Sequence, residues 1–560
     1  MAQFIPEHHG LPRMPPGSPA NDYFPFVVNH FTVGLRPENY QFLFSDKPDS
    51  LYSFQDAEFV INRRPEIFRA GLRIRGTHAW NWDFSKPSFR LRLKGQKRVL
   101  GREILDFINP DDASMLANLI SDHIAVELGM PSPRTKISTV TINNDYKGLY
   151  HLAEPINTKT LQAQGFSRCS VIEGNIRNSK LWDHLESWEF ETPDSLDTDA
   201  PQNTLKRLLE AVKTPVNLDN IEKMAEVIDS ERFAAWSALM TAIASIHTND
   251  YFGHLLVFNH DSKRLFPVIA DPSGFGVITS IAGMHEEIDI RVPLYEFLTP
   301  LLNAFFRFPE FQYQRNVLLF KILQAQLNPP RLHELASGFM NRLQPFFAAE
   351  PYASALINIP KVLFSRRIPV SPQTQHKDAQ RLINFMKARR DYLLKELSTL
   401  DVELGTLVEE KTFAGRKYRP LTIRVKGHCP VEWDFSGFKG RILPDYDFDG
   451  IPETDAQEFS ARQLFFPGLS EKGFSEPHWL MPGRRRANFI LEPDFQTYLV
   501  MLSSDSFAEC LAFLESQGKN AVTGERVAVR VVARDAESLV AVSPNPRSLH
   551  AWRNRKNVAN

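Results

Sequence analysis

The sequence has few cysteines, no long apolar run and no surplus of either charge, and each shortage removes a class of protein. Three cysteines in 560 residues, Cys169, Cys429 and Cys510, are too few and too scattered for a disulfide framework or a cysteine-built zinc site. No apolar stretch approaches the roughly 20 residues that cross a bilayer, so no transmembrane segment is expected. The opening stretch, MAQFIPEHHGLPRMPPGSPANDYF, is rich in proline and lacks the apolar centre of a signal peptide. Lysine and arginine number 65 against 66 aspartates and glutamates, so no basic excess points to nucleic acid. There is no internal repeat, Walker loop, nucleophile elbow or zinc-binding helix.

What is present is ample core material. Hydrophobic residues make up 43%, which excludes global disorder, and 560 residues exceed one core, so two or three domains are expected. Residues 1–27 read as a flexible arm broken at Pro15-Pro16-Gly17. From His30 the pattern is β-like, with strands expected at 31–35, 40–44, 57–62, 71–75 and 88–93; Arg90, Arg92 and Lys94 alternate along the last. Residues 114–128 have helical period and stop at Gly129-Met130-Pro131. Strands at 136–142 and 148–153 follow, joined by Asn143-Asn144-Asp145, and run into Glu154-Pro155. Strands, one helix, a two-stranded return and a linker outline the small lobe of a kinase over 28–157, with Glu154 at the hinge beside an adenine.

Residues 158–229 mix short elements. Apolar residues at three- and four-residue spacing in 301–306, 311–323, 331–347 and 378–397 make 158–400 a larger, mostly helical lobe. Short β-like runs with Gly and Pro turns predict a separate β-sandwich over 405–549, before a basic tail at 550–560.

The stretch 246–276 carries the candidate chemistry. It follows a segment of helical period, 230–245. Runs at 255–259 and 265–269 flank a turn at His260-Asp261-Ser262-Lys263, which predicts a β-hairpin. Asp250 precedes the first strand and Asp271 follows the second, so two acids 21 positions apart should reach the same end. Helix, loop acid, hairpin, second acid is also the order in the phosphate-transfer half of a kinase. There one acid orients the attacking hydroxyl and the other holds a metal on the nucleotide phosphates. The plain alternative is a surface hairpin with a capping acid at each end. His247 and His254 are candidates for moving a proton or orienting Asp250, against the commoner role of bonding backbone carbonyls.

With these segments in order, the chain resembles the CotH kinase family, related to spore coat protein H, from about residue 57 to about 400. Gly71-Leu72-Arg73-Ile74-Arg75-Gly76, followed by Ser85-Lys86-Pro87-Ser88-Phe89-Arg90, is similar to that family's Arg-Gly segment and its basic, serine-bearing run. Thr141-Ile142-Asn143-Asn144-Asp145-Tyr146-Lys147-Gly148-Leu149-Tyr150 is similar to its strand pair, and 246–276 to its catalytic segment. The resemblance implies an α+β architecture: a bilobal, atypical protein-kinase-like (CotH) fold, here with an added C-terminal β-sandwich. It implies transfer of phosphate from ATP to Ser or Thr of a protein substrate, with Mg2+ or Mn2+, in an extracytoplasmic setting. On that resemblance Asp250 takes the catalytic-loop position, Asp271 holds the metal with help from Asn249, and Glu154 marks the nucleotide hinge. Lys86 steadies phosphate and Arg75 is a second cation there; for Arg75, pairing with a carboxylate across the sheet is the alternative.

Three positions depart from the family pattern. Leu255 follows His254 where relatives have Asn, Asp271-Pro272-Ser273 keeps one acid of an Asp-x-Asp pair, and Glu173 in Val171-Ile172-Glu173-Gly174 replaces a lysine. Such changes suit a pseudokinase scaffold or surface-assembly protein, whose β-module binds a polysaccharide or a partner protein. Separately, Asp445, Asp447 and Asp449, with Gly450, match the first half of a calcium loop and are candidate ligands for structural Ca2+. Position twelve of that loop is Ala456 rather than Glu, so a solvated acidic turn is the alternative.

Overall fold

The structure is a computed structural model. It describes residues 28–533, apart from 46–52, 77–85, 96–97, 111, 113, 175–180, 214–217, 246–253, 271, 273, 277–289, 291–293, 295, 298–299, 307, 348, 350–352, 360–361, 369–371, 408, 437, 439, 446–461, 473–478, 482–483 and 486–488. The first unit comprises β1 (Asn29–Leu35), α1 (Pro37–Ser45), β2 (Gln55–Ile61), β3 (Phe68–Ile74), β4 (Phe89–Leu93), β5 (Ile104–Ile108), α2 (Ala117–Glu127), β6 (Lys136–Ile142) and β7 (Asp145–Ala153). Its strands close into a barrel in the order β1-β2-β3-β4-β5-β7-β6, sealed by parallel pairing of β1 with β6. Alternation along β1, β2 and β4 turns Phe31, Val33, Phe59 and Leu91 into one core. Residues 40–44, expected as a strand, lie in α1 instead: Pro37 opens the helix and Glu38 sits in its first turn, both helix-start features.

β6 and β7 are buried on both sides along most of their length, polar Ser138, Thr139 and His151 included. Val140, Tyr150 and Leu152 fill the barrel, whereas Ile137 and Leu149 join a second, larger core. α2 packs in that larger core through Leu119, Ile120 and Ile124. It ends as the sequence signals: Gly129 takes φ +67, its N–H reaches the Val126 carbonyl at 3.0 Å and the Met130 N–H reaches Ala125 at 2.9 Å.

The chain continues through α3 (Thr158–Ala163), β8 (Cys169–Gly174), β9 (Trp188–Glu191), α4 (Asp199–Lys213), α5 (Leu218–Val227), α6 (Ser230–Ala242), β10 (Leu255–Asn259) and β11 (Arg264–Pro267). The expected hairpin is formed, with Leu256 opposite Pro267 and Asn259 opposite Arg264, and β8 and β9 extend it to the order β11-β10-β8-β9. Then come β12 (Glu296–Phe297), α7 (Pro300–Phe306), α8 (Pro309–Gln324), α9 (Pro329–Phe347), the hairpin of β13 (Ala353–Ile359) and β14 (Val362–Ile368), and α10 (Pro372–Ser398). Leu205, Phe233, Leu319, Phe339 and Leu393 bring α4, α6, α8, α9 and α10 into the larger core.

The remainder is β15 (Leu400–Thr406), β16 (Lys411–Phe413), β17 (Arg416–Gly427), β18 (Val431–Asp434), β19 (Ile442–Asp445), β20 (Arg462–Phe465), β21 (Gly468–Lys472), β22 (Trp479–Met481), β23 (Arg484–Arg485), β24 (Phe489–Asp494), β25 (Gln496–Ser503), α11 (Phe507–Gln517), β26 (Lys519–Asn520) and β27 (Val529–Ala533). One sheet runs β19-β25-β17-β15-β27 and another β20-β18-β26. Val402, Ile423 and Val500 of the first share a core with Trp433 and Phe465 of the second and with Leu514 of α11. This part is tied to the helices: Asn316 Nδ2 donates to the His428 carbonyl at 2.5 Å and Asn520 Nδ2 to that of Leu397 at 2.7 Å. The three cysteines are buried and unbridged. No described helix is long and apolar enough to cross a membrane.

Candidate active site

The C-terminal end of α6 is the fixed point of the site. Asp229 caps the other end, accepting from the Arg232 N–H at 3.1 Å. At the C-terminus the Ala244 N–H reaches the Thr241 carbonyl at 3.2 Å and the Ser245 N–H reaches Met240 at 2.9 Å. That closure puts Ala244 at φ +53, where glycine is usual. Beyond the hairpin the chain returns to this turn. The Ser245 hydroxyl donates to the Pro272 carbonyl, and the Phe275 N–H donates to Ile243 at 2.7 Å. Gly274 permits the approach, since a Cβ there would stand 2.6 Å from Ile243 Cγ1 and 2.7 Å from its carbonyl oxygen. At the hairpin's base the Val268 N–H donates to Leu255 at 2.9 Å.

The chain entering 246–253 and the chain leaving it are therefore both bonded to 268–275. Asn249, Asp250, Asp271 and His247 lie outside the described residues. What the structure brings together is their described neighbours in sequence on either side.

The other sequence candidates fall in different settings. Lys86 is fully buried, its Nζ 5.1 Å from the centre of the Tyr150 ring, whose hydroxyl donates to Pro87 at 3.0 Å. Arg75 is paired: its Nε lies 2.9 Å from Asp106 Oδ2, and Arg90 reaches both oxygens of the same carboxylate at 2.6 Å. Burial alone would raise the Asp106 carboxyl; Arg75 and Arg90 outweigh it and hold the group below the usual range. Glu154 pairs with Arg102 Nε at 3.3 Å, and its N–H donates to Pro133 at 2.8 Å.

His254 packs edge-on against Trp182 at 5.2 Å, beside a cavity of about 10 Å³ lined by Trp236, Leu256 and Leu301, room for a single water. Glu173 stands opposite Glu189 and Leu255 in register. Its side chain reaches solvent, yet partial desolvation first and Glu189 second push its carboxyl above the ordinary range. Asp445 is buried at the end of β19, while Asp447 and Asp449 lie outside the described residues. Among the described residues no group of three or more His, Cys, Asp or Glu could hold a metal.

Residues 72–393, more than half of the chain, match the family described as CotH kinase protein. The chain belongs to that family. No curated protein matches it. The CotH region opens in β3 and closes in α10, so it contains the hairpin and both facing turns, with β1, β2 and the C-terminal sheets outside it. Sequence reasoning missed Asp106 because β5 was not read as a strand. A signal existed: arginines alternating on the outward face of β4 call for an acid on the neighbouring strand, and Asp106 pairs in register with Arg90.

Proposed function

We propose that this CotH protein is an ATP-dependent kinase that phosphorylates Ser or Thr of a protein substrate. The observation that carries the reading is the meeting of two turns, Ser245 bonded to Pro272 and Phe275 to Ile243, from which the segments bearing Asp250 and Asp271 depart. In this reading Asp250 accepts the hydrogen bond of the attacking hydroxyl and orients it. Asp271 and Asn249 offer the oxygen ligands that Mg2+ or Mn2+ prefers; when bound, that ion offsets charge on the nucleotide phosphates. Lys86, fully buried, adds positive potential on the barrel side through its field; Arg75 adds less, because Asp106 answers its charge.

Glu154 marks the hinge between the barrel as small lobe, 28–157, and the helices as large lobe, 158–400, which makes the fold bilobal. The sheets of 405–549 pack as a β-sandwich able to hold a polysaccharide or protein partner, with Asp445, Asp447 and Asp449 around Ca2+. Family membership supports an extracytoplasmic setting.

A second reading, a pseudokinase scaffold, is favoured by specific features. Leu255 is committed to strand pairing with Glu173, Pro272 accepts a hydrogen bond from Ser245, and neither side chain carries an oxygen to replace the missing ligands. The deciding experiment measures ATP binding with and without Mn2+, then phosphate transfer, in wild type, Asp250→Ala and Asp271→Asn. The kinase reading expects metal-dependent binding and a loss of about 100-fold or more in transfer for Asp250→Ala. Binding without transfer supports the scaffold; neither activity defeats the kinase reading and supports a purely structural role.

A further inference from the structure

α10 holds both turns from behind. Asp378, Arg381, Phe385 and Arg389 recur at spacings of three, four and four, so they share one side of the helix. Arg381 donates to the Gly276 carbonyl and, through Nε, to Asp378 Oδ1 at 2.8 Å. The Phe385 ring fills the space beside Gly276, where an added Cβ would stand 2.5 Å from Cδ2. Arg389, fully buried, donates to the Thr241 carbonyl in the last turn of α6 at 2.9 Å and to Ile290 at 2.6 Å. Arg315 of α8, equally buried, donates to the Thr241 hydroxyl at 3.0 Å and to the Leu294 carbonyl at 2.8 Å. Asp378 also accepts from the Ser114 N–H at 3.0 Å, in the lead-in to α2.

The chemistry fits a clamp rather than mere filling. Carbonyls at a helix C-terminus fall outside the regular helical ladder and carry partial negative charge. That of Thr241, which among the described residues of its own turn accepts only the Ala244 N–H, has a lone pair left for a guanidinium, whose donors form a rigid fork. Burying such a cation is costly, so apolar residues would serve simple packing better. The two turns it reaches also store strain. Ala244 at φ +53 and Phe275 at φ +65 are left-handed without being glycine, each costing on the order of 1 kcal/mol. Strain of this kind persists where surrounding contacts over-determine it, and it gathers at functional sites.

We propose that Arg381 and Arg389 are positioning residues of the phosphate-transfer site. Through the carbonyls of Gly276 and Thr241 they set the separation of the 243–245 and 272–276 turns, and with it the metal-dependent side of the reaction. They leave the nucleotide base and the hinge untouched. The inference rests on the kinase reading above.

Arg381→Ala is the test variant, because this side chain is 25% exposed and its loss leaves the core packed. Arg381→Lys and Arg389→Lys keep the charge. In Arg381→Ala, amide exchange at Phe275 should quicken by about 10-fold, with the barrel unchanged. The Mn2+ needed for half-maximal transfer should rise by about 10- to 100-fold, as for loss of a residue behind a metal ligand, while metal-free ATP affinity stays constant. Arg381→Lys should recover part of both effects, and Arg389→Lys should raise the Mn2+ requirement in the same sense. Unchanged exchange in Arg381→Ala overturns the clamp. Faster exchange with an unchanged Mn2+ requirement overturns the positioning role. A wild type that binds no nucleotide removes the kinase reading, and this role with it, whatever the exchange shows.

Discussion

Replacing Gly274 by alanine should drive the two turns apart. The new Cβ would stand 2.6 Å from Ile243 Cγ1, 2.7 Å from the Ile243 carbonyl oxygen and 2.9 Å from Cδ1. Ordinary contact needs about 3.5–4.0 Å, so roughly 1 Å must open. The Ile243 side chain can rotate away, but its carbonyl is backbone and accepts the Phe275 N–H at 2.7 Å. Relief therefore stretches that bond, about 1 kcal/mol, on top of about 1–3 kcal/mol for overpacking. The effect is local in a chain with several cores, so it is best read by native-state amide exchange over 268–276 and by the rate of phosphate transfer. Gly34→Ala is the control: its nearest neighbour is the Glu58 carbonyl at 3.9 Å, and the change should stay within about 0.5 kcal/mol. If Gly274→Ala behaves like Gly34→Ala in both assays, the contact between the turns does not support the site.

Three further outcomes follow from the same geometry. Ala244→Gly should stabilise the end of α6 by about 1 kcal/mol in thermal unfolding, by removing the left-handed strain at φ +53. Asp106→Asn should cost about 3 kcal/mol in denaturant unfolding, the low end for breaking a buried pair, because Arg75 and Arg90 are 31% and 23% exposed and can turn to water. Since the Asp106 carboxyl is held down, its stabilisation is present above about pH 4 and is lost as pH falls through the lowered folded value, a loss the variant should not show. Asp112 has the opposite sign. Burial first, then Asp378, push its carboxyl up, so its contribution is present below about pH 4 and is lost as pH rises through the raised value. Asp112→Asn should flatten that decline in a pH series of unfolding free energies.

Much of the fold was legible because its signals are local. The hairpin of β10 and β11, the strands of β6 and β7 and the stop of α2 at Gly129 each follow from a periodicity bounded by turn residues. Tyr40-Gln41-Phe42-Leu43-Phe44 misled because a short aromatic run satisfies either period, and only Pro37 and Glu38 upstream decide for helix. In the site, the order of helix, acid, hairpin and acid was readable along the chain. The clamp was not: Arg381 meets Gly276 across 105 positions and Arg389 meets Thr241 across 148. No local spacing announces such contacts, although two arginines on the core-facing side of α10 are a visible oddity. Arg75 shows the same limit, its role decided by Asp106 on a strand 31 positions away.

The most direct measurement is a crystal structure with Mn2+ and a non-hydrolysable ATP analogue. The account predicts the manganese anomalous peak at the Asp271 carboxylate, the γ-phosphate directed toward Asp250, and the two carboxylates within about 10 Å of each other. Manganese bound elsewhere, or the two acids facing separate regions of solvent, contradicts it.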